Sequence, residues 1–144
     1  MSRQLLGGCV IATGAAAAAI AWWLVGDVSE PGLFSPDHII ESPDVSPITE
    51  ALIGVVGVIA ASIALLVLWR GRRAAVITRR QLSAVVPIAG LGAFAGFTLR
   101  VVTAGVSGAN IGAGLLMMGS VVVVPVMLGL ASLLWRRDRP DASS

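Results

Sequence analysis

Four long apolar stretches separated by short polar ones make up most of this chain: Leu5–Val25, Ile48–Trp69, Leu82–Val102 and Ile111–Trp135. Each has 21 to 25 residues, enough to cross about 30 Å of hydrocarbon as a helix. The pattern therefore predicts an all-α membrane protein, a four-helix transmembrane bundle forming one integral membrane domain over 1–144. Aromatic anchors fall at span ends, with Trp22-Trp23 closing the first, Trp69-Arg70 the second and Trp135-Arg136 the fourth. Pro125 lies inside the fourth stretch and is expected to kink it.

The polar stretches differ in charge. Segment 26–47 carries Asp27, Glu30, Asp37, Glu41 and Asp44 and no lysine or arginine. Segment 70–81 carries Arg70, Arg72, Arg73, Arg79 and Arg80. The fourth span runs into Arg136 and Arg137 and a polar tail, 136–144. Arginines beside span ends stay on the cytoplasmic side. That rule places loop 70–81, the tail and both termini inside, and the acidic segment outside. Nine of the ten basic residues then lie inside, and Arg100 alone departs.

Segment 26–47 also repeats a triplet, Ser35-Pro36-Asp37 and Ser42-Pro43-Asp44. Serine, proline and an acid in succession form a helix-start signal. A short surface turn through His38–Glu41 is expected. Ser46-Pro47 opens the second span in the same way, with Glu50 in its first turn, where the helix dipole favours an anion. The first span competes with a cleaved signal peptide, since Ala19-Ile20-Ala21 resembles a cleavage site. The apolar run continues through Trp22–Val25, which favours retention. A weak internal echo links Ala51–Gly54 and Ser62 with Ala109–Gly112 and Ser120, as a parallel repeat would.

Composition agrees with this reading. The 144 residues are 56% hydrophobic and 12% charged, against about 25% charged in soluble domains. Mean hydropathy is +0.91 and the pI is near 10. Basic charge placed at span ends serves orientation and headgroup contact, so no nucleic-acid partner is expected. All of it is arginine, which with abundant Ala, Gly and Val points to a GC-rich prokaryotic genome and the cell membrane. One cysteine, Cys9, excludes an internal disulfide.

Two charged residues fall within predicted spans, Glu50 and Arg100. Glu50, Gly54, Gly57 and Ala61 share one helix face, as do Gly92, Gly96, Arg100 and Thr103. Small-residue faces let helices approach closely in lipid, so both charges should face another helix. Both also lie two residues inside the outer ends of neighbouring, antiparallel spans. One reading is a Glu50–Arg100 ion pair between those two spans. The other gives each an independent interfacial role, Arg100 snorkelling to headgroups and Glu50 capping a helix. A substrate or ion pathway is a third.

No span carries a mid-membrane carboxylate for proton coupling, and no histidine or lysine base accompanies a serine. No phosphate-binding loop or cofactor ligand set appears. The expectation is therefore a non-enzymatic protein without cofactor or metal. Its lipid-embedded helices pack against each other and against a further copy or a larger membrane complex. The contrasting expectation is an oligomeric small transporter or channel.

Overall fold

The structure is a computed structural model describing residues 2–29, 40, 45–104 and 109–136. The regular structure among the described residues is all helical, without strands. The elements are α1 (Arg3–Val25), α2 (Pro47–Arg73), α3 (Arg79–Ser83), α4 (Val85–Thr103) and α5 (Ala109–Trp135). Four segments are long and apolar enough to cross a membrane: Gln4–Val25, Pro47–Arg73, Arg79–Thr103 and Ile111–Trp135. The surface turn expected at 38–41 falls, apart from Ile40, outside the described residues, as do Arg137 and the rest of the tail.

Local chemistry explains most boundaries. Ser2 caps α1 by accepting from the Leu5 amide, and Gly26, at a φ of 66°, ends it. Ser46 accepts from the Thr49 amide at 3.2 Å, with Pro47 at the first helical position. α2 outruns its predicted end at Trp69 because Arg70, Arg72 and Arg73 fill its last turn, where cations complement the helix dipole. It stops in a Schellman turn. The Val76 amide donates to Gly71 and the Ala75 amide to Arg72, with Ala75 left-handed at φ 55°. The Arg-rich loop therefore shrinks to Ala74–Thr78. Thr78 and Gln81 form a capping box that opens α3. The break between α3 and α4 follows from Pro87, which has no amide hydrogen and whose ring crowds the carbonyl four residues back, on Ser83. α5 runs unbroken through Pro125.

The packing order is α2, α1, α4, α5. α1 stands between α2 and α4, whose backbones do not approach each other. α2 and α5 share no seam either, so the long helices form an open row. This corrects the expected α2–α4 helix pair. The direction of each seam follows from side-chain neighbours. Gly54 lies against Trp23, Gly57 against Ala16, and Gly71 against Leu6, so α2 is antiparallel to α1. Gly92 lies against Gly14 and Gly96 against Ala18, so α1 and α4 run parallel. α5 is antiparallel to α4, with Gly112 beside Val101 and Gly90 beside Met127. The hairpins α1–α2 and α4–α5 therefore point the same way, with α1 and α4 inside the row. The sequence echo falls on the two outer helices, α2 and α5.

Two kinds of seam meet on α1. The face of α2 turned toward it reads Glu50, Gly54, Gly57, Ala61, Ala64, Leu68, Gly71, alternating steps of four and three as in a left-handed coil. Toward α4, α1 presents Gly14, Ala18 and Trp22 to Gly92, Gly96 and Arg100, steps of four on both sides. A Cβ on Gly92 or Gly96 would run into the carbonyl oxygen of Gly14 or Ala18. This is the close small-residue crossing typical of helices in lipid. Leu6, Val10, Leu68, Ile77 and Val85 bury one another at the end where α1 begins.

Candidate functional site

The parallel α1–α4 seam carries Arg100 past the last turn of α1. The carbonyls of that turn lack partners within the helix. The Gly26 amide goes to Trp23, which leaves the Trp22 carbonyl open to Arg100. The Arg100 Nε donates to it at 2.9 Å, and the guanidinium carbon stands 3.9 Å from the centre of the Trp22 ring. The terminal NH2 nitrogen donates to Glu50 Oε1 at 2.5 Å. One guanidinium thus ties α4 to α1 and, across the end of α1, to α2. The structure brings Glu50 and Arg100 together although their helices do not pack on each other.

Arg100 is 4% exposed, and a charge so buried requires compensation. Glu50 supplies a full negative charge and the Trp22 ring its negative face. The C-terminal ends of α1 and α4 both add negative dipole ends at this point. Glu50 in turn sits at the positive end of α2. Asp27, just past α1, is a further carboxylate at this end. Its pKa is held below the ordinary value by hydrogen bonds from the Ser29 side chain and backbone amide. Partial burial opposes that shift, and the Arg100 charge adds to it.

Gly54, Gly57, Gly92 and Gly96 are buried against α1, and Ala61 is half-buried on the same seam. Gly14, Ala18 and Trp22, the partners of the α4 row, were missed from sequence, where Trp22 reads as an interfacial anchor. The signal was present. Those residues repeat every four positions, matching the Gly92, Gly96, Arg100 row.

The other end gathers arginines. Arg70, Arg72, Arg73, Arg79, Arg80 and Arg136 all stand there, beside the start of α1 and the end of α5. Arg73 lies over the Trp69 ring at 3.8 Å. Arg80 donates to the Leu133 carbonyl at 3.2 Å, and Gln81 Nε2 donates to the Trp135 carbonyl at 3.2 Å. Both side chains close the C-terminal carbonyls of α5. Gln81, 5% exposed, also accepts from the Thr78 amide. The Thr78–Gln81 spacing carries the capping-box signature, but no sequence pattern hinted at the bond to α5.

Chemically, the Arg100 cluster is a clamp. Its cation is held by an anion, a carbonyl and a π face, and two of its N–H groups fix three helices at one end. Comparison with protein-family models, curated proteins and solved structures returns no match.

Proposed function

We propose that this chain is a multi-pass protein of a prokaryotic cell membrane with a structural or accessory role and no catalytic machinery. In this reading the arginine end and both termini face the cytoplasm. The observation that carries it is the separation of charge along the helix axes. Arg70, Arg72, Arg73, Arg79, Arg80 and Arg136 stand at one end, while both described carboxylates, Asp27 and Glu50, stand at the other with Arg100. The four apolar helices lie between. Retained arginine on the inner side then sets orientation. The burial of α1 between α2 and α4 supports its retention, because cleavage would strip both helices of their main seam.

The small-residue stripes of α2 and α4 are spent on α1, so an outside partner would meet other surfaces. α5 offers one. It packs on α4, and a Cβ added at Gly114, Gly119 or Gly129 would meet nothing within 4 Å. Ile111, Met118 and Val121 on the same helix are each more than 70% exposed. A small-residue helix at the edge of an open row suits packing against a second copy or a larger membrane complex. The transporter alternative draws less support, since Arg100 is already clamped within the protein.

Cysteine labelling in intact cells tests orientation. Cysteine at Ala75 should resist a membrane-impermeant maleimide until the cells are opened, and cysteine at Val28 should react at once. The reverse pattern refutes the topology. Purification in mild detergent, with Gly119→Leu as control, tests the accessory role. A co-purifying membrane partner lost in that variant supports it, whereas ion or solute flux in proteoliposomes of the chain alone favours transport.

A further inference from the structure

We propose that the arginine end binds an anionic phospholipid, with an acyl chain in the groove between α1 and α5 and the phosphate on Arg136. This rests on the membrane location proposed above. The groove has a volume of about 440 Å³ and is lined by Gly7 and Ile11 of α1, Ile88 of α4, and Ser132 and Trp135 of α5, with Arg136 at its end. It exists because α1 and α5 both pack on α4 but not on each other. The Trp135 indole bridges toward Gly7, 3.9 Å from a Cβ placed there.

Charge identifies the occupant. Arg70, Arg72, Arg73, Arg79, Arg80 and Arg136 stand at this end, and no described carboxylate stands near them, since Asp27 and Glu50 lie at the far end. Arg80 is engaged with the α5 carbonyl of Leu133 and Arg73 with Trp69. Arg136 is exposed beside the groove. A basic residue at the mouth of an apolar slot between helices matches one phosphate joined to an acyl chain. A soluble anion would satisfy the arginine and leave the apolar slot unfilled.

Native mass spectrometry of the full chain in detergent micelles tests this, using phosphatidylglycerol and phosphatidylcholine of identical acyl chains. Phosphatidylglycerol should stay bound at activation energies that strip phosphatidylcholine, and excess inorganic phosphate should not displace it. Arg136→Gln should weaken phosphatidylglycerol binding about fivefold, the factor for one arginine beside an anionic headgroup. Arg70→Gln, equally basic but outside the groove, should weaken it less than twofold. Gly7→Leu fills the groove without changing charge and should also reduce binding. A Cβ at position 7 makes only ordinary contact with Trp135, and an unchanged unfolding midpoint in micelles shows that the variant is folded. Equal retention of both lipids, equal losses in the two arginine variants, or an unaffected Gly7→Leu overturns the proposal. Binding that appears only after removal of 137–144 overturns it as well and assigns the groove to the chain's own tail. A chain that stays monodisperse without detergent refutes the membrane reading itself, a result distinct from a micelle-embedded chain without lipid preference.

Discussion

Replacing Glu50 and Arg100 singly and together tests the clamp most directly. Removing one member of a buried pair typically costs about 3–5 kcal/mol, because the other charge is stranded. Here the two losses differ. With Glu50→Leu, Arg100 keeps the Trp22 carbonyl and the Trp22 ring, and a desolvated cation–π contact contributes about 2 kcal/mol. The expected cost is then about 2 kcal/mol. With Arg100→Leu all three contacts go, and the Trp22 carbonyl is left without a donor, at about 1–3 kcal/mol. The stranded Glu50 side chain is 23% exposed and reaches water, which limits its share. The expected total is about 4 kcal/mol.

The double variant should cost little more than Arg100→Leu alone, since Glu50 then has no cation to lose. That corresponds to a coupling of about 2 kcal/mol, read from reversible unfolding in mixed micelles. Costs that add to within about 0.5 kcal/mol would show that the two side chains act independently and refute the clamp. A charge swap is the weaker test. A carboxylate introduced at position 100 would face the Trp22 carbonyl and ring, both of which repel an anion, so Glu50→Arg with Arg100→Glu should fail to recover stability. Recovery would mean that Trp22 does not hold the cation.

Three further outcomes follow from the packing and the turns. Gly92→Ala should destabilise by about 1–3 kcal/mol, because the new methyl meets the Gly14 backbone, which has no room to yield. Gly57→Ala, where the contacts are 3.2–3.3 Å, should be near neutral once helix propensity is added; equal costs in unfolding assays would contradict the α1–α4 seam. Ala75→Gly should stabilise by roughly 0.5–1 kcal/mol, since glycine removes the left-handed penalty at φ 55°, and a loss measured the same way would argue against the Schellman turn. Asp27 has a depressed folded-state pKa, so its contribution is present above the ordinary carboxylate pKa and lost as pH falls through the folded value. The stability gap between Asp27→Asn and the parent, measured across acid pH, should therefore close toward low pH, and a gap that widens in acid reverses the assigned sign.

The long helices were legible because apolar runs of spanning length leave few choices. The ends of α1, α2 and α5 lie within about four residues of the expected boundaries. Glu50 and Arg100 stood out because charges rarely enter such runs. Helix order was less legible. Ala15–Ala19 is five alanines in succession, and an alanine run presents small side chains on every face. Beyond the row of Gly14, Ala18 and Trp22, no face of α1 is therefore marked as buried, and nothing in its composition shows that it packs on two helices at once. Chain adjacency suggested α2 with α4 instead, and the structure places α1 between them.

The spacing of small residues settles which helix takes which face, and it does so through geometry. Rows that repeat every four residues lean the same way on both helices and can interdigitate with a matching row. Gly92, Gly96 and Arg100 therefore suit a partner such as Gly14, Ala18 and Trp22. The α2 face, stepping by four and three, suits a shallow left-handed crossing. α1 accommodates both because its alanines permit either ridge. The same choice fixes Arg100. Continuing the four-residue row one step past Gly96 brings the guanidinium to the residue one step past Ala18, and that residue is Trp22. The clamp is thus the last contact of a helix crossing set by glycine, and any variant that opens the Gly92–Gly14 contact should also loosen the hold of Trp22 on Arg100.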